Sequence, residues 1–224
     1  MVSNIVAYIG IDNFDNILYL SRILSKLGKK VLVMDHSESL SVQYSIPQPR
    51  GMDCHKEIIT YRKVDFTTQE INQAMREEYD DILIYCGFQK KDSDIACCNR
   101  IIFVTDLYRY NCARITDTSM VCDASNKIEQ ELLIKDAAPI KITPDILVER
   151  MGLSIPSEHI SILYHDERDY TNGLVYHYNG SFRLKGISKA RKKYLLEEVK
   201  KLHPEINFNQ TKTAYRRARR REGK

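Results

Sequence analysis

The feature that most constrains this chain is an alternation of apolar segments within residues 6–35. Two short apolar segments flank a stretch whose apolar residues recur at helical spacing, namely Ile17, Leu20, Ile23, Leu24 and Leu27. The continuous run Val31-Leu32-Val33 is typical of a parallel strand that is covered on both faces. Two such strands joined by a helix require a right-handed crossover. The sequence therefore predicts a β-α-β unit in which Asp15 or Asn16 caps the helix and Gly28 ends it.

The same alternation continues along the chain and predicts an α/β protein with a doubly wound, mostly parallel sheet. Strands are predicted at 58–64 on an edge of the sheet, and at 82–85, 101–104 and 159–164. Helices are predicted from Thr67 or Thr68 to 75, at 126–135, at 144–152 and at 188–202. Asn179-Gly180 lies between two alternating stretches, so we expect a C-terminal hairpin over 174–184 followed by the last helix.

Positive charge is concentrated at the C-terminal end. Residues 181–224 hold 15 Lys and Arg against 4 Asp and Glu, a net charge of +11, whereas the rest holds 19 against 26, a net charge of −7. We expect residues 1–205 to form one domain and 206–224 a mobile basic tail. Clustered arginines bind phosphate, so nucleic acid, anionic lipid and an acidic protein are all candidate partners. The candidate contact residues are Lys212, Tyr215, Arg216, Arg217, Arg219, Arg220 and Arg221, with Tyr215 able to stack on a base.

The sequence predicts a cytoplasmic protein. No apolar run approaches the ~18–20 residues of a membrane span, and the first residues lack the pattern of a signal peptide. The six cysteines form no C-x-x-C pair. The predicted helix at 188–202 is amphipathic and lysine-rich, so it either packs on the sheet or holds the protein peripherally at a membrane surface.

Three segments resemble the ParA/MinD-type ATPases, the deviant Walker A group of the P-loop fold. The segment "LSRILSKLGKKVLVMD" (20–35) is similar to the second half of their first β-α-β unit. The segment "YDDILIYCGF" (79–88) is similar to the strand that bears their Walker B aspartate, and "RIIFVTDLYRYN" (100–111) is similar to the strand after it. The resemblance covers roughly the first half of the chain and implies a P-loop fold. Among relatives, the chain most resembles the TadZ/CpaE-like proteins of pilus and secretion systems.

The residues that would bind nucleotide in this family are replaced. The resemblance places the phosphate-binding loop at Gly10 and the residues after it, with Asp12, Asn13 and Phe14 where the family has glycine, lysine and threonine. That lysine contacts the β- and γ-phosphates, and the threonine ligates Mg²⁺. Asp12 and Asp15 would instead repel phosphate, at roughly 4 kcal/mol for one like-charge pair ~4 Å apart.

A second departure concerns the metal-ordering acids. Tyr85 stands where the family has its Walker B aspartate, and Asp35 is the one acidic position retained. Positioned positive charge and metal are what phosphoryl transfer requires. We therefore predict a pseudo-ATPase with no catalytic residues, no cofactor and no resident metal.

The function that follows is a non-catalytic scaffold that binds a protein partner, or a second copy of itself, in a localisation or assembly complex. The alternative is a nucleic-acid-binding protein that uses its basic C-terminal region. A third hypothesis is an enzyme that uses Asp35 and the acid-base groups at 165–169, which follow a strand end. Asp12, Asp15 and Asp35 could also form a cation site.

Overall fold

In the computed structural model, which describes residues 3–48, 57–89, 92–119, 128–179 and 184–220, eight strands form one sheet. The strands are β1 (Asn4–Gly10), β2 (Val31–Asp35), β3 (Ile59–Tyr61), β4 (Val64–Thr67), β5 (Asp81–Gly87), β6 (Arg100–Thr105), β7 (Glu129–Ala137) and β8 (Ile160–Tyr164). The helices of these residues are α1 (Phe14–Lys26), α2 (Ser41–Tyr44), α3 (Gln73–Glu78), α4 (Asp92–Ala96), α5 (Arg109–Ser119), α6 (Pro144–Met151), α7 (Glu167–Tyr178), α8 (Lys189–Leu202) and α9 (Phe208–Arg219).

The strand order is β3-β4-β2-β5-β1-β6-β7-β8, and every pair except β3–β4 is parallel. Helices cover both faces. On β1, Ile5, Ala7 and Ile9 face the core that includes α3, α4, α5 and α6, whereas Val6 and Tyr8 face α1, α8 and α9. The predicted doubly wound, mostly parallel sheet is confirmed, and its central strands are mostly apolar because both of their faces are buried.

Two of the predicted helix starts are confirmed. Thr143 Oγ1 accepts a hydrogen bond from the amide of Ile146 ahead of α6, and Ser188 Oγ accepts one from the amide of Arg191 ahead of α8. No described helix is long and apolar enough to cross a membrane.

Other element boundaries differ from the predictions. The predicted edge strand at 58–64 is a hairpin of β3 and β4, which turns at Arg62 and Lys63 with positive φ angles of 54° and 62°. Asn72, not Thr67 or Thr68, caps α3. The helix α1 begins at Phe14, so Asp15 and Asn16 lie inside it and are not its caps.

The helix predicted at 126–135 is wrong where the structure describes it, because residues 129–137 form strand β7 between β6 and β8. Two charged residues of this strand, Glu131 and Lys135, are buried in ion pairs, whereas Glu129 and Asp136 are exposed. Glu131 receives hydrogen bonds from Arg100 at 3.0 Å and from Lys201 at 2.5 Å, and Lys135 donates to Asp15 at 3.1 Å. The partners lie far away in the sequence, so the local pattern could not indicate a buried strand.

The predicted hairpin at 174–184 is also wrong. Residues up to Tyr178 belong to helix α7, whose N-cap Asp166 accepts a hydrogen bond from the amide of Arg168. Asn179 is the C-cap of this helix, and Gly180 lies outside the described residues. Residues 174–178 are exposed or half-buried on a helix. Their alternation therefore does not reflect one buried and one exposed face of a strand.

The expected mobile tail is an ordered helix over most of its length, and the domain therefore extends beyond residue 205. Asn207 and Gln210 form a capping box at the start of α9, and Ala214, Tyr215 and Ala218 are buried. The helix packs against α1 and α8. The Asn-x-x-Gln pattern indicates the start of this helix. The segment was predicted as a mobile tail because of its arginine-rich composition.

Candidate functional site

The loop after β1 begins with a glycine that no other residue could replace without movement. Gly10 has a φ angle of +130°, and a Cβ atom there would lie 1.9 Å from the carbonyl oxygen of Val104. The next amide, of Ile11, donates to that same oxygen at 2.9 Å. The loop therefore lies against β6 and leads directly to the N-terminus of α1.

Asp12 is held by its neighbours. Its Oδ1 accepts hydrogen bonds from Ser41 Oγ at 2.8 Å and from Tyr85 Oη at 3.1 Å, and its backbone oxygen accepts one from Lys135 Nζ at 2.7 Å. Burial and the nearby Asp12 carboxylate raise the pKa of Tyr85. Tyr85 is therefore a neutral donor that fixes the loop.

Asp15 is the centre of an ion-pair cluster, which we call the Asp15 cluster and define as Asp15, Lys135, Arg191 and Asp169. Lys135 Nζ lies 3.1 Å from Asp15 Oδ1, Arg191 donates to Asp15 Oδ2, and Arg191 Nε lies 3.4 Å from Asp169 Oδ2. The side chains of Asp15, Lys135 and Arg191 are only 11%, 8% and 7% exposed. Burial opposes ionisation of Asp15, but the two cations hold its pKa well below the ordinary value.

Asp35 lies at the end of β2 and is buried. Its Oδ1 accepts from the amide and hydroxyl of Ser37 at 3.1 and 2.6 Å, and its Oδ2 accepts from the amides of Val42 and Gln43 at 2.9 and 3.1 Å. Burial raises its pKa despite these bonds. Asp35 therefore ties the loop after β2 to the start of α2.

Asn13 and Phe14 also have contacts within the protein. Asn13 is fully buried, and its Oδ1 accepts from Asn16 Nδ2 at 2.7 Å. The Phe14 ring lies 5.5 Å from that of His177 on α7. The cavity beside Phe14, Asp15 and His177 measures about 10 Å³, which is the space of a single water molecule, whereas small-molecule sites measure about 300–1,000 Å³.

The residues proposed for acid-base or metal chemistry are not brought together. His165 lies 3.5 Å from Asp136 at the surface, Asp166 pairs with Arg168, and Asp169 accepts from the amide of Ser188 at 2.7 Å. Within the part of the chain that the structure describes, no group of three His, Cys, Asp or Glu side chains could hold a metal ion.

The basic C-terminal residues divide into two groups. Arg216, Arg217 and Arg219 are exposed on α9, and Arg220 is exposed directly after it. Tyr215 is buried, with Lys192 and Arg219 over its ring at 5.0 and 6.0 Å from the centroid. Stacking of Tyr215 on a base is therefore a wrong prediction, because the ring belongs to the core between α8, α9 and the sheet. Lys212 is half-buried, and Arg221 lies outside the described residues.

Six exposed tyrosines were not singled out from the sequence. We call them together the tyrosine surface and define it as Tyr44, Tyr108, Tyr110, Tyr164, Tyr170 and Tyr178. Their exposures run from 58% to 88%. All of them lie at the carboxyl end of β8 or on the helices and loops that follow β2, β6 and β8. The rings of Tyr108 and Tyr110 are 5.6 Å apart. The number of tyrosines can be counted in the sequence, but their position at the carboxyl edge of the sheet follows only from the strand order.

The strand order, with a glycine-containing loop between β1 and the N-terminus of α1, defines a P-loop type of α/β fold. It is the fold of the MinD and ParA ATPases. The septum site-determining protein MinD from Pyrococcus horikoshii, solved with Mg-ADP, has a TM-score of 0.64 at 14% identity over 92% of this chain and 100% of that one. Similarity to TadZ/CpaE-like proteins stays a prediction.

Two further solved structures show the same fold. A variant of McdA from Cyanothece, solved in complex with ATP, has a TM-score of 0.61 at 9% identity, covering 92% of this chain and 98% of that one. A chain of the MinC:MinD cell division protein complex of Aquifex aeolicus has a TM-score of 0.55 at 11% identity, covering 80% of this chain and 87% of that one. No protein-family model and no curated protein matches the sequence.

Proposed function

We propose that this chain is a non-catalytic pseudo-ATPase that acts as a scaffold for a protein partner in a localisation or assembly complex of the pilus or secretion type. The observation that carries the proposal is the Asp15 cluster. Lys135 and Arg191 already neutralise a carboxylate of the protein, in the first turn of the helix that follows the loop.

A nucleotide would have to compete with this arrangement. Its phosphates would approach the exposed Asp12 as well as Asp15, and residues 10–13 supply neither a lysine nor a threonine. Separating Lys135 or Arg191 from Asp15 would leave a buried charge without its partner, which is strongly unfavourable. The loop is therefore suited to holding β1, α1 and β7 together, and we propose that it does so without ATP.

The tyrosine surface supports a protein as the partner. Tyrosine is enriched at protein interfaces, where its ring contributes contact area and its hydroxyl a hydrogen bond. One structural neighbour was solved as a MinC:MinD complex. We propose that the partner of this chain docks at the tyrosine surface, and that this partner is a second copy or another protein.

Calorimetry with ATP and ADP, each with and without Mg²⁺, tests the proposal, with P. horikoshii MinD as the positive control because it was solved with Mg-ADP. We expect no heat of binding. Micromolar binding that disappears in Lys135→Gln would overturn the proposal and assign Lys135 as a relocated phosphate ligand.

A second experiment examines the partner. Light scattering at increasing concentration tells whether the chain associates with itself, and the paired variant Tyr108→Ser/Tyr110→Ser should abolish any dimer that forms at the tyrosine surface. A dimer that persists in this variant would contradict docking there. If the chain stays monomeric, the partner is a different protein, and the same variant is the control for its identification.

A further inference from the structure

A groove is lined by residues of α8, of α9 and of the segment between them. Its volume is about 810 Å³. Its cationic lining residues define what we call the lysine groove: Lys189, Lys192, Lys193, Lys200 and Lys212. Glu197 is the one acidic residue in the lining that the structure describes.

The lining follows from the periodicity of α8. Lys189, Lys193 and Lys200 are positions i, i+4 and i+11 of one helical face, and Lys192 and Leu196 complete the same stripe. Lys189 and Lys200 are separated by about 17 Å along the helix axis, since each residue rises ~1.5 Å. One side of the groove is therefore a straight basic row about three turns long.

The floor of the groove is apolar. It is formed by Leu196, Ile206 and Phe208. Leu196 is buried and Ile206 is half-buried, whereas Phe208 is 60% exposed although it is a large aromatic residue. The Lys212 ammonium lies over the Phe208 ring at 4.1 Å from the centroid. An apolar floor whose one exposed ring, Phe208, lies between basic walls is an arrangement that a partner with matching apolar and acidic groups would cover.

Two of the five groove lysines, Lys189 and Lys200, have no ion-pair partner among the described residues, whereas Lys192 and Lys212 lie over the Tyr215 and Phe208 rings. Lys193 lies 3.6 Å from Glu197, which is a contact within one helix face. For Lys189 and Lys200, the described residues provide no carboxylate within ion-pair distance. This contrasts with Lys201, the neighbour of Lys200, whose ammonium lies 2.5 Å from Glu131 and 3.1 Å from Glu198.

We propose that the lysine groove binds an acidic amphipathic helix of a protein partner. A helix of about three turns matches the length of the basic row, its apolar face would cover Ile206 and Phe208, and flanking carboxylates would face the lysines. A flat lipid surface does not enter a concave groove. Single-stranded nucleic acid binds through successive bases that stack on aromatic rings, and Phe208 is the one aromatic residue in the described lining. The inference goes beyond the proposed function, because nucleotide binding by the loop after β1 would leave it unaffected.

The test uses a fluorescein-labelled peptide of about 18 residues, built from Leu, Glu and Ala, with leucines at i, i+3, i+4 and i+7 and glutamates beside them. Fluorescence anisotropy with the full chain should give micromolar binding, weakened about tenfold or more by Lys189→Glu/Lys200→Glu and by Phe208→Ser. The matched control, Lys141→Glu/Arg150→Glu, makes the same charge change on exposed residues outside the groove and should leave binding within about twofold.

Two comparison peptides and two other probes make the test decisive. A peptide of the same composition without the leucine period, and one with lysine in place of glutamate, should bind at least about tenfold more weakly. The proposal would be overturned if the peptide without the leucine period bound as tightly as the original peptide, or if the original peptide did not bind at about 1 mM. It would also be overturned if the groove variants and the control variant changed binding equally. It would also be overturned if single-stranded DNA or phosphatidylglycerol vesicles, but not the acidic peptide, bound in a manner lost in Lys189→Glu/Lys200→Glu.

Discussion

The Asp15 cluster and the lysine groove both concentrate charge, but in opposite ways. In the cluster, Lys135 and Arg191 are nearly buried and contact carboxylates from other elements. In the groove, Lys189 and Lys200 are exposed, and the carboxylate of their own face, Glu197, is engaged by Lys193. A paired, buried cation holds the fold together, whereas an unpaired, exposed cation is available to a partner. Burial and pairing therefore distinguish the charged residues that stabilise the fold from those that could bind another molecule.

Removing the carboxylate at the centre of the Asp15 cluster should cause the largest loss of stability. Asp15→Asn keeps the shape of the side chain but leaves Lys135 and Arg191 without their shared carboxylate. We expect a loss of about 3–5 kcal/mol in the free energy of unfolding. Urea unfolding followed by circular dichroism measures it.

The control is Asp166→Asn, which removes an ion pair with the largely exposed Arg168 and keeps a side chain able to cap α7. It should cost less than about 1 kcal/mol. Equal losses in the two variants would contradict a structural role for the Asp15 cluster.

A smaller loss is expected from Gly10→Ala, which changes the path of the loop and not its charge. The new Cβ would overlap the carbonyl oxygen of Val104 at 1.9 Å, so β1 and β6 must separate, at about 3 kcal/mol. Thermal and urea unfolding report the loss.

Gly28→Ala is the matched control, since Gly28 also has a positive φ angle, of +85°, but nothing lies within 4 Å of its Cβ position. Its cost should be only the ~1 kcal/mol of a left-handed residue. If Gly10→Ala were as mild as Gly28→Ala, the loop would not be held as tightly as the contact implies.

The contact between His203 and Asp81 is expected to depend on pH. His203 follows α8, and burial disfavours its protonation, but Asp81, whose Oδ2 lies 2.9 Å from Nε2, raises its pKa above the ordinary value. Glu205 lies 3.2 Å from Nδ1, and the charge of Lys29 acts in the opposite direction.

Because the folded-state pKa is raised, this contact stabilises the fold fully below the unfolded-state pKa of about 6.5 and loses its effect as the pH rises through the folded-state value. The stability difference between wild type and His203→Asn should therefore be larger at pH 5.5 than at pH 9. His159→Asn is the control, since His159 is half-exposed and 3.8 Å from Glu129. A difference that grew with pH would refute this assignment.

The elements with clear local periodicity could be predicted from the sequence, whereas the contacts that depend on the strand order could not. The first β-α-β unit, the caps of α6 and α8 and the parallel sheet all follow from apolar runs and capping residues. The strand β7 was missed because Glu131 and Lys135 are buried only through partners on distant elements. The pairing of Asp15 with Lys135 and Arg191 was missed for the same reason, since these three residues meet only after the sheet and α8 are in place.

The smallest change in the free energy of unfolding is expected for substitutions of two adjacent lysines, Lys200 and Lys201. Lys200→Gln removes a groove cation that has no carboxylate partner among the described residues, so the free energy of unfolding should change by less than about 0.5 kcal/mol. Lys201→Gln removes a cation that bridges Glu131 and Glu198 and leaves two buried carboxylates with Arg100 alone, so it should cost about 1–2 kcal/mol. The two substitutions are identical and one residue apart, and any difference between their urea midpoints must come from the environments of the two ammonium groups. If both variants lost the same stability, Lys200 would be a structural residue, and its charge would not be free for an acidic helix.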